Sequence, residues 1–140
     1  NYIENIIKEN SLENNFIIFN YLSNDEVIQL YKNAFGLIMP TYVARSTLPL
    51  YESFYFRKPV FYSNDILDDK LYQFVIGFDS TNPNDLLNKL KSIENGEIDL
   101  EKKVNLAYQY YKEVCSEEYF VKNYKKIINE YDYLRKRWEK

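Results

Sequence analysis

The sequence contains no histidine and a single cysteine, Cys115. The first absence removes the commonest general base and the commonest metal ligand. The second excludes a disulfide framework or a thiolate metal site built within the chain. Chemistry must then run on carboxylates, hydroxyls, backbone amides and cations. Long apolar runs are missing as well. The longest, around Phe35 to Met39 and Phe74 to Phe78, fall far short of the roughly 20 residues that span a bilayer. No signal-peptide pattern is visible, so a cytoplasmic location is expected. Nor is there a basic stripe: 18 basic residues stand against 21 acidic ones for a net charge of −3, and the basic residues crowd into the last third. That distribution gives no support to nucleic-acid binding.

What is present is globular. Of the 140 residues, 46% are hydrophobic and 18% aromatic, including 15 tyrosines, which argues against disorder and for one domain with one core. The chain opens without Met in NYIENIIKEN, where Ile3, Ile6 and Ile7 fall at helical spacing. We expect a piece of a longer protein, entered at the tail of a helix whose strand lies upstream. Asn15 to Asn20, NFIIFN, is a short run of β-formers and is predicted to be a buried strand. Ser23 and Glu26 match a capping box, starting a helix with Val27, Leu30, Tyr31 and Ala34 on one face.

Further strands are predicted at Phe35 to Met39, at Pro59 to Tyr62 and at Gln73 to Asp79, with a helix over Leu48 to Phe56 between the first two. Asn82 followed by Pro83 marks a helix start, and Gly96 its left-handed end. Asp99 and Ser116 read as caps of two more helices. In the last, Phe120, Tyr124, Ile127, Tyr131, Leu134 and Trp138 form one continuous stripe, read as core or interdomain packing. Lysines and arginines beside it keep a peripheral membrane contact as a weaker alternative. Strands alternating with helices imply an α/β fold, a Rossmann-like, doubly wound, mostly parallel sheet of about four strands with helices on both faces and a long C-terminal helix. Pairing with another copy, as a homo-oligomer, is one way an incomplete sheet could close.

In such a sheet ligands sit beyond the carboxyl ends of the strands, where helix N-termini present free amides. The polar turn from Pro40 to Leu48 lies in that position. Its amides suit an anion, worth on the order of 0.3 to 2 kcal/mol for the dipole alone. Glu52, a turn into the helix, cannot favour the same anion. A carboxylate accepts two hydrogen bonds side by side and so suits a diol such as ribose. A nucleotide-sugar donor, diphosphate at the turn and ribose at Glu52, satisfies both features. Blander readings stand beside these: Ser46 and Thr47 are good helix caps, Arg45 is an ordinary surface cation, Glu52 a solvated helix acid, Tyr21 half packing, and Cys115 a small apolar filler.

The residues Asn20-Tyr21-Leu22-Ser23, Leu37-Ile38-Met39-Pro40-Thr41, Leu48-Pro49-Leu50-Tyr51-Glu52-Ser53 and Lys58-Pro59-Val60 occur in that order. Together they resemble the second half of the donor-binding domain of retaining bacterial glycosyltransferases of the group 1, or family 4, class, which have the two-domain GT-B fold. Pro40-Thr41-Tyr42 and Ser63-Asn64 resemble a subgroup common in surface-polysaccharide assembly. The resemblance covers the whole chain, residues 1–140, as a partial nucleotide-sugar-binding domain, and is most specific from Asn15 to Leu86. It implies that Glu52 is the second acid of the Glu-x7-Glu motif and holds the donor's ribose. It places Ser46, Thr47 and Leu48 at the diphosphate and donor sugar, and Tyr21 and Leu22 beside the base.

Two departures bear on activity. Ala44 stands where the motif's first acid belongs, and Arg45-Ser46-Thr47 replaces a small Gly-rich turn. Arg45 could instead grip the diphosphate as a fork donor. The family's basic pair and its acceptor-binding N-terminal domain would precede this chain, so the chain alone is expected not to catalyse. By the resemblance no cofactor or essential metal is implied, in keeping with the lack of an Asp-x-Asp motif, and no residue here is assigned as catalytic. The alternative is a degenerate Rossmann-like module that binds a nucleotide or a protein partner and transfers nothing. A flavodoxin-like receiver domain fits least, since its clustered acids with a later Thr and Lys are not found.

Overall fold

The computed structural model describes residues 2–42 and 48–138. The chain divides into two compact units, the first ending at Lys32 and the second beginning at Asn33. In the first unit, α1 (Tyr2–Glu9) ends where Ser11 takes φ 54°. The Ser11 and Leu12 amides donate back to Lys8 and Ile7 carbonyls at 3.1 and 2.9 Å. That is a Schellman closure made without glycine. Helix α2 (Asn24–Asn33) starts at the predicted capping box. Ser23 N–H and its hydroxyl donate to Glu26 Oε2 at 2.8 and 2.7 Å, while Glu26 N–H donates to Ser23 Oγ at 3.4 Å. The backbone bond, then the hydroxyl bond, hold the Glu26 carboxyl below the usual carboxylate range.

The strand predicted at Asn15 to Asn20 does not form: these residues join no ladder among the described residues. Phe16, Ile17, Ile18 and Phe19 are all exposed. β-Propensity measures fit to a neighbouring pleated surface, and without a paired strand it has nothing to act on.

The second unit holds a three-stranded parallel sheet of β1 (Leu37–Met39), β2 (Val60–Ser63) and β3 (Ile76–Phe78), in sequential order. Leu37 pairs with Val60 and Met39 with Tyr62; Phe61 pairs with Ile76 and Ser63 with Phe78. Central β2 is buried at every position, as expected of a parallel strand covered on both faces. Its alternation splits the core. Val60 and Tyr62 face Leu50 and Phe54 of α3 (Leu48–Tyr55), Leu71, Phe74 and Val75 of the following turn, and Ala107 of α5 (Leu100–Val114). Phe61, Ile76 and Phe78 face Leu86, Leu90 and Ile93 of α4 (Pro83–Glu94), with Ile98 and Leu100.

The mixed α/β class and the helical cover on both faces thus agree with expectation. Among the described residues the sheet has three strands where about four were expected, and their sequential order contains no reversal of the kind that marks a doubly wound sheet. β3 also begins later than predicted. Asp68 accepts the Leu71 N–H at 2.8 Å and a turn follows, so Phe74 and Val75 are buried without joining the ladder.

Helix ends were set by local chemistry. Asn82 caps α4 through Asn84 N–H at 3.1 Å, and Gly96 closes it at φ 74°. Asp99 caps α5 through Lys102 N–H at 2.9 Å. Ser116 accepts from Tyr119 N–H at 3.1 Å to start α6 (Glu117–Trp138). The α6 stripe, read as core or interdomain packing, is not part of this core: no residue of α6 is buried. Among the described residues no helix is long and apolar enough to cross a membrane.

Candidate functional site

Helix α3 leaves the carboxyl end of β1 and carries two faces. Leu50, Ser53 and Phe54 are at most 1% exposed and pin the helix to the sheet. Leu48, Glu52 and Tyr55, spaced four and three apart, share the outward face, with Leu48 68% and Tyr55 53% exposed and Glu52 exposed between them. The Glu52 carboxylate is therefore at the surface, a little over one turn from the start of the helix, and is not sealed in the apolar core.

The far end of α3 fixes that presentation. Arg57 adopts φ 54°, its amide donates to Phe54 O at 3.1 Å, and Lys58 N–H donates to Ser53 O at 2.8 Å. The chain then turns into Pro59 and β2. Arg57 lays its guanidinium 4.1 Å from the Tyr108 ring centroid, tying this corner to α5. At the same corner, Gly36 lets β1 approach closely: a Cβ there would lie 2.8 Å from Pro59 O, the same carbonyl that accepts Leu37 N–H at 2.9 Å.

Of the other predicted site residues, Arg45, Ser46 and Thr47 lie outside the described residues, as does Ala44. Tyr21 and Leu22 belong to the first unit, Glu52 and Leu48 to the second. Tyr21 is 85% exposed, which corrects the reading of its ring as half packing; Leu22 is half-buried. The segment that carries Tyr21 belongs to no helix or strand and leads directly into the α2 capping box.

A cluster at the carboxyl ends of β2 and β3 was not foreseen from sequence. Ser63, fully buried, donates to Asp65 Oδ2 at 2.9 Å, and Ser80 donates to the same oxygen at 2.8 Å, with the two hydroxyls 3.1 Å apart. Beside it, Asp79 Oδ1 accepts from the Thr81 hydroxyl at 2.6 Å and the Thr81 amide at 2.9 Å. Those two bonds, the hydroxyl first, hold the Asp79 carboxyl below its ordinary range. Asp85 Oδ2 in turn accepts Asp79 N–H at 2.8 Å. These acids lock the strand ends together and disfavour an anion there.

Lys103 was also missed. Its ammonium donates to the carbonyls of Val75, Tyr72 and Gln73 at 2.9, 3.2 and 3.4 Å, and burial pushes its pKa down. It borders an open cleft of about 530 Å³ with Gln73, Glu97 and Asp99. All three protons are engaged by the turn before β3, so this amine holds structure together instead of awaiting a substrate. Its only sequence signal was a lysine one turn into a capped helix. Among the described residues, no three His, Cys, Asp or Glu side chains converge to hold a metal ion.

Comparison with known proteins adds no relative: no family model matches the chain, and no curated protein matches it.

Proposed function

We propose that this chain is part of the nucleotide-sugar-binding domain of a retaining glycosyltransferase, Rossmann-like in its winding, that builds a surface polysaccharide or related glycan. The observation that carries the proposal is the exposed carboxylate of Glu52 on a helix that leaves the carboxyl end of a parallel strand and is anchored through its opposite face. In this reading Glu52 accepts both ribose hydroxyls of the donor. The amides of Ser46, Thr47 and Leu48, helped by Arg45, cradle the diphosphate, and stabilise it as it departs. Glu52 orients the donor and carries no proton. Glycosyl transfer would need the acceptor-binding domain as well, and the enzyme would work in the cytoplasm, at the inner face of the membrane where acceptors are lipid-linked.

A second reading rests on Ala44, which stands where the resembled motif has an acid. Losing that acceptor removes a charged hydrogen bond to the donor sugar, on the order of 1.5 to 3 kcal/mol. It favours a module that binds a nucleotide and transfers nothing. Titration of the intact protein with UDP, GDP and ADP tests both readings at once. Saturable binding of one of them, weakened by Glu52→Ala, supports the site; unchanged affinity in the variant removes Glu52 from it, and no binding of any removes the proposal. Hydrolysis and transfer assays on the same protein then separate an enzyme from a binding module.

A further inference from the structure

Helix α6 spans 22 residues and none of them is buried. Along it the apolar positions repeat every seven residues in two series, Phe120, Ile127, Leu134 and Tyr124, Tyr131, Trp138. All six are exposed, from 48% at Leu134 to 84% at Trp138. Ile128, 59% exposed, borders the stripe. A strict seven-residue repeat is not the period of a straight helix packing on a globular core. It is the seam of a left-handed two-helix supercoil.

From this we infer that α6 pairs antiparallel with α6 of a second copy of this chain. Independently of the donor-site reading, two features choose that occupant and that direction. The first is layer matching. Antiparallel pairing about Asn129 sets Phe120 against Trp138, Tyr124 against Leu134 and Ile127 against Tyr131 of the second copy, so every seam position meets another. Parallel pairing stacks Trp138 on Trp138 and each tyrosine on itself, crowding one series and leaving the other thin. The second is charge. Glu117 and Glu118 open the helix, and Arg135, Lys136 and Arg137 close it. Parallel pairing brings six cations together and aligns the helix dipoles, whereas antiparallel pairing about Asn129 parts the two basic triplets, setting Arg135 opposite Asn123 and Arg137 opposite Val121 of the second copy, and opposes the dipoles favourably.

The area is adequate for a reversible dimer. With aromatic side chains of 150–250 Å² each, the exposed part of the seam comes to roughly 900 Å² per copy. Covering two thirds of it on both copies removes roughly 1,200 Å², the lower bound of a specific interface. The expected behaviour is a concentration-dependent monomer–dimer equilibrium.

Sedimentation velocity of the 140-residue chain over a micromolar concentration series reads this directly. The wild type is expected to dimerise. Ile127→Asp, which places a charge in the central layer twice, should raise the dissociation constant by about 100-fold, while Lys125→Ser on the outer face should leave it unchanged. Circular dichroism confirms that both variants keep their helices, since neither side chain is buried in the monomer. In a Cys115→Ser background, mixing Phe120→Cys with Trp138→Cys should give the mixed disulfide. Self-linked Phe120→Cys as the main product would overturn the antiparallel arrangement. A monomer at every concentration, or a dimer indifferent to Ile127→Asp, would overturn the pairing itself. So would a monomer that floats with phosphatidylglycerol vesicles, which would assign the stripe to a lipid surface.

Discussion

Arg57 offers a test in which the usual order of two residues inverts. It ends α3 with φ 54°, a conformation that costs an L-residue about 1–2 kcal/mol and costs glycine almost nothing. Glycine pays instead in the unfolded chain, by about 0.4–1 kcal/mol relative to alanine. Arg57→Ala and Arg57→Gly both lose the guanidinium contact at 4.1 Å from the Tyr108 ring, worth about 0.5–1 kcal/mol at an exposed site. The comparison between them therefore isolates the backbone. Arg57→Gly should be more stable than Arg57→Ala by about 1 kcal/mol, the reverse of their order within a helix, and close to the wild type. For a chain of this size that is a difference of about 4 °C in melting temperature. Thermal and urea unfolding of the three proteins give the answer. If the alanine variant is as stable as the glycine variant or more so, the left-handed corner described for Arg57 is wrong, and the presentation of Glu52 derived from it falls too.

Three other outcomes follow from the packing. Gly36→Ala puts a Cβ 2.8 Å from Pro59 O, and the strand must shift; urea unfolding should show a loss of about 1–3 kcal/mol. Burial first, then the Tyr51 hydrogen bond, push the Tyr110 phenol up to about 12. The folded state therefore keeps a proton that the unfolded chain releases near 10, so this contribution is complete below pH 10 and is lost as pH rises from about 10 to about 12. Unfolding followed across that range should steepen with alkali, and Tyr110→Phe should flatten the dependence. Lys103→Met keeps the stem but deprives the Val75, Tyr72 and Gln73 carbonyls of their shared donor. Denaturant unfolding should show a loss of about 2 kcal/mol, the scale of a charged hydrogen bond.

Features decided within a few residues were readable in advance. The caps at Ser23, Asn82, Asp99 and Ser116 and the glycine close of α4 depend on chemistry spanning three or four positions, and each formed where the residue types demanded. β1 and β2 were readable as apolar runs bounded by Pro40 and Pro59. What required a partner was not. Phe16 to Phe19 have strand character and no neighbour to pair with, and Phe74 and Val75 are buried by a turn that Asp68 starts. The period of the α6 stripe was legible while its exposure was not, because period identifies a face and says nothing of what covers it. At the site, Glu52 was legible as a carboxylate early in a helix after a strand. The joining of Ser80 to Ser63 and Asp65 was not, since those segments meet only in the fold, and neither was the left-handed turn at Arg57, where no glycine marks a place in which glycine is the common choice.

The central claim is that Glu52 grips a ribose diol, and a double comparison on the intact protein measures it most directly. Affinity for the best-bound nucleoside diphosphate is set against that for its 2′,3′-dideoxy analogue, in the wild type and in Glu52→Ala. Charged hydrogen bonds of about 1.5–3 kcal/mol predict that the wild type loses roughly 10- to 100-fold on removal of the two hydroxyls, and that Glu52→Ala binds both nucleotides alike. A wild type indifferent to the missing hydroxyls, or a variant that still discriminates as strongly, would contradict the assignment.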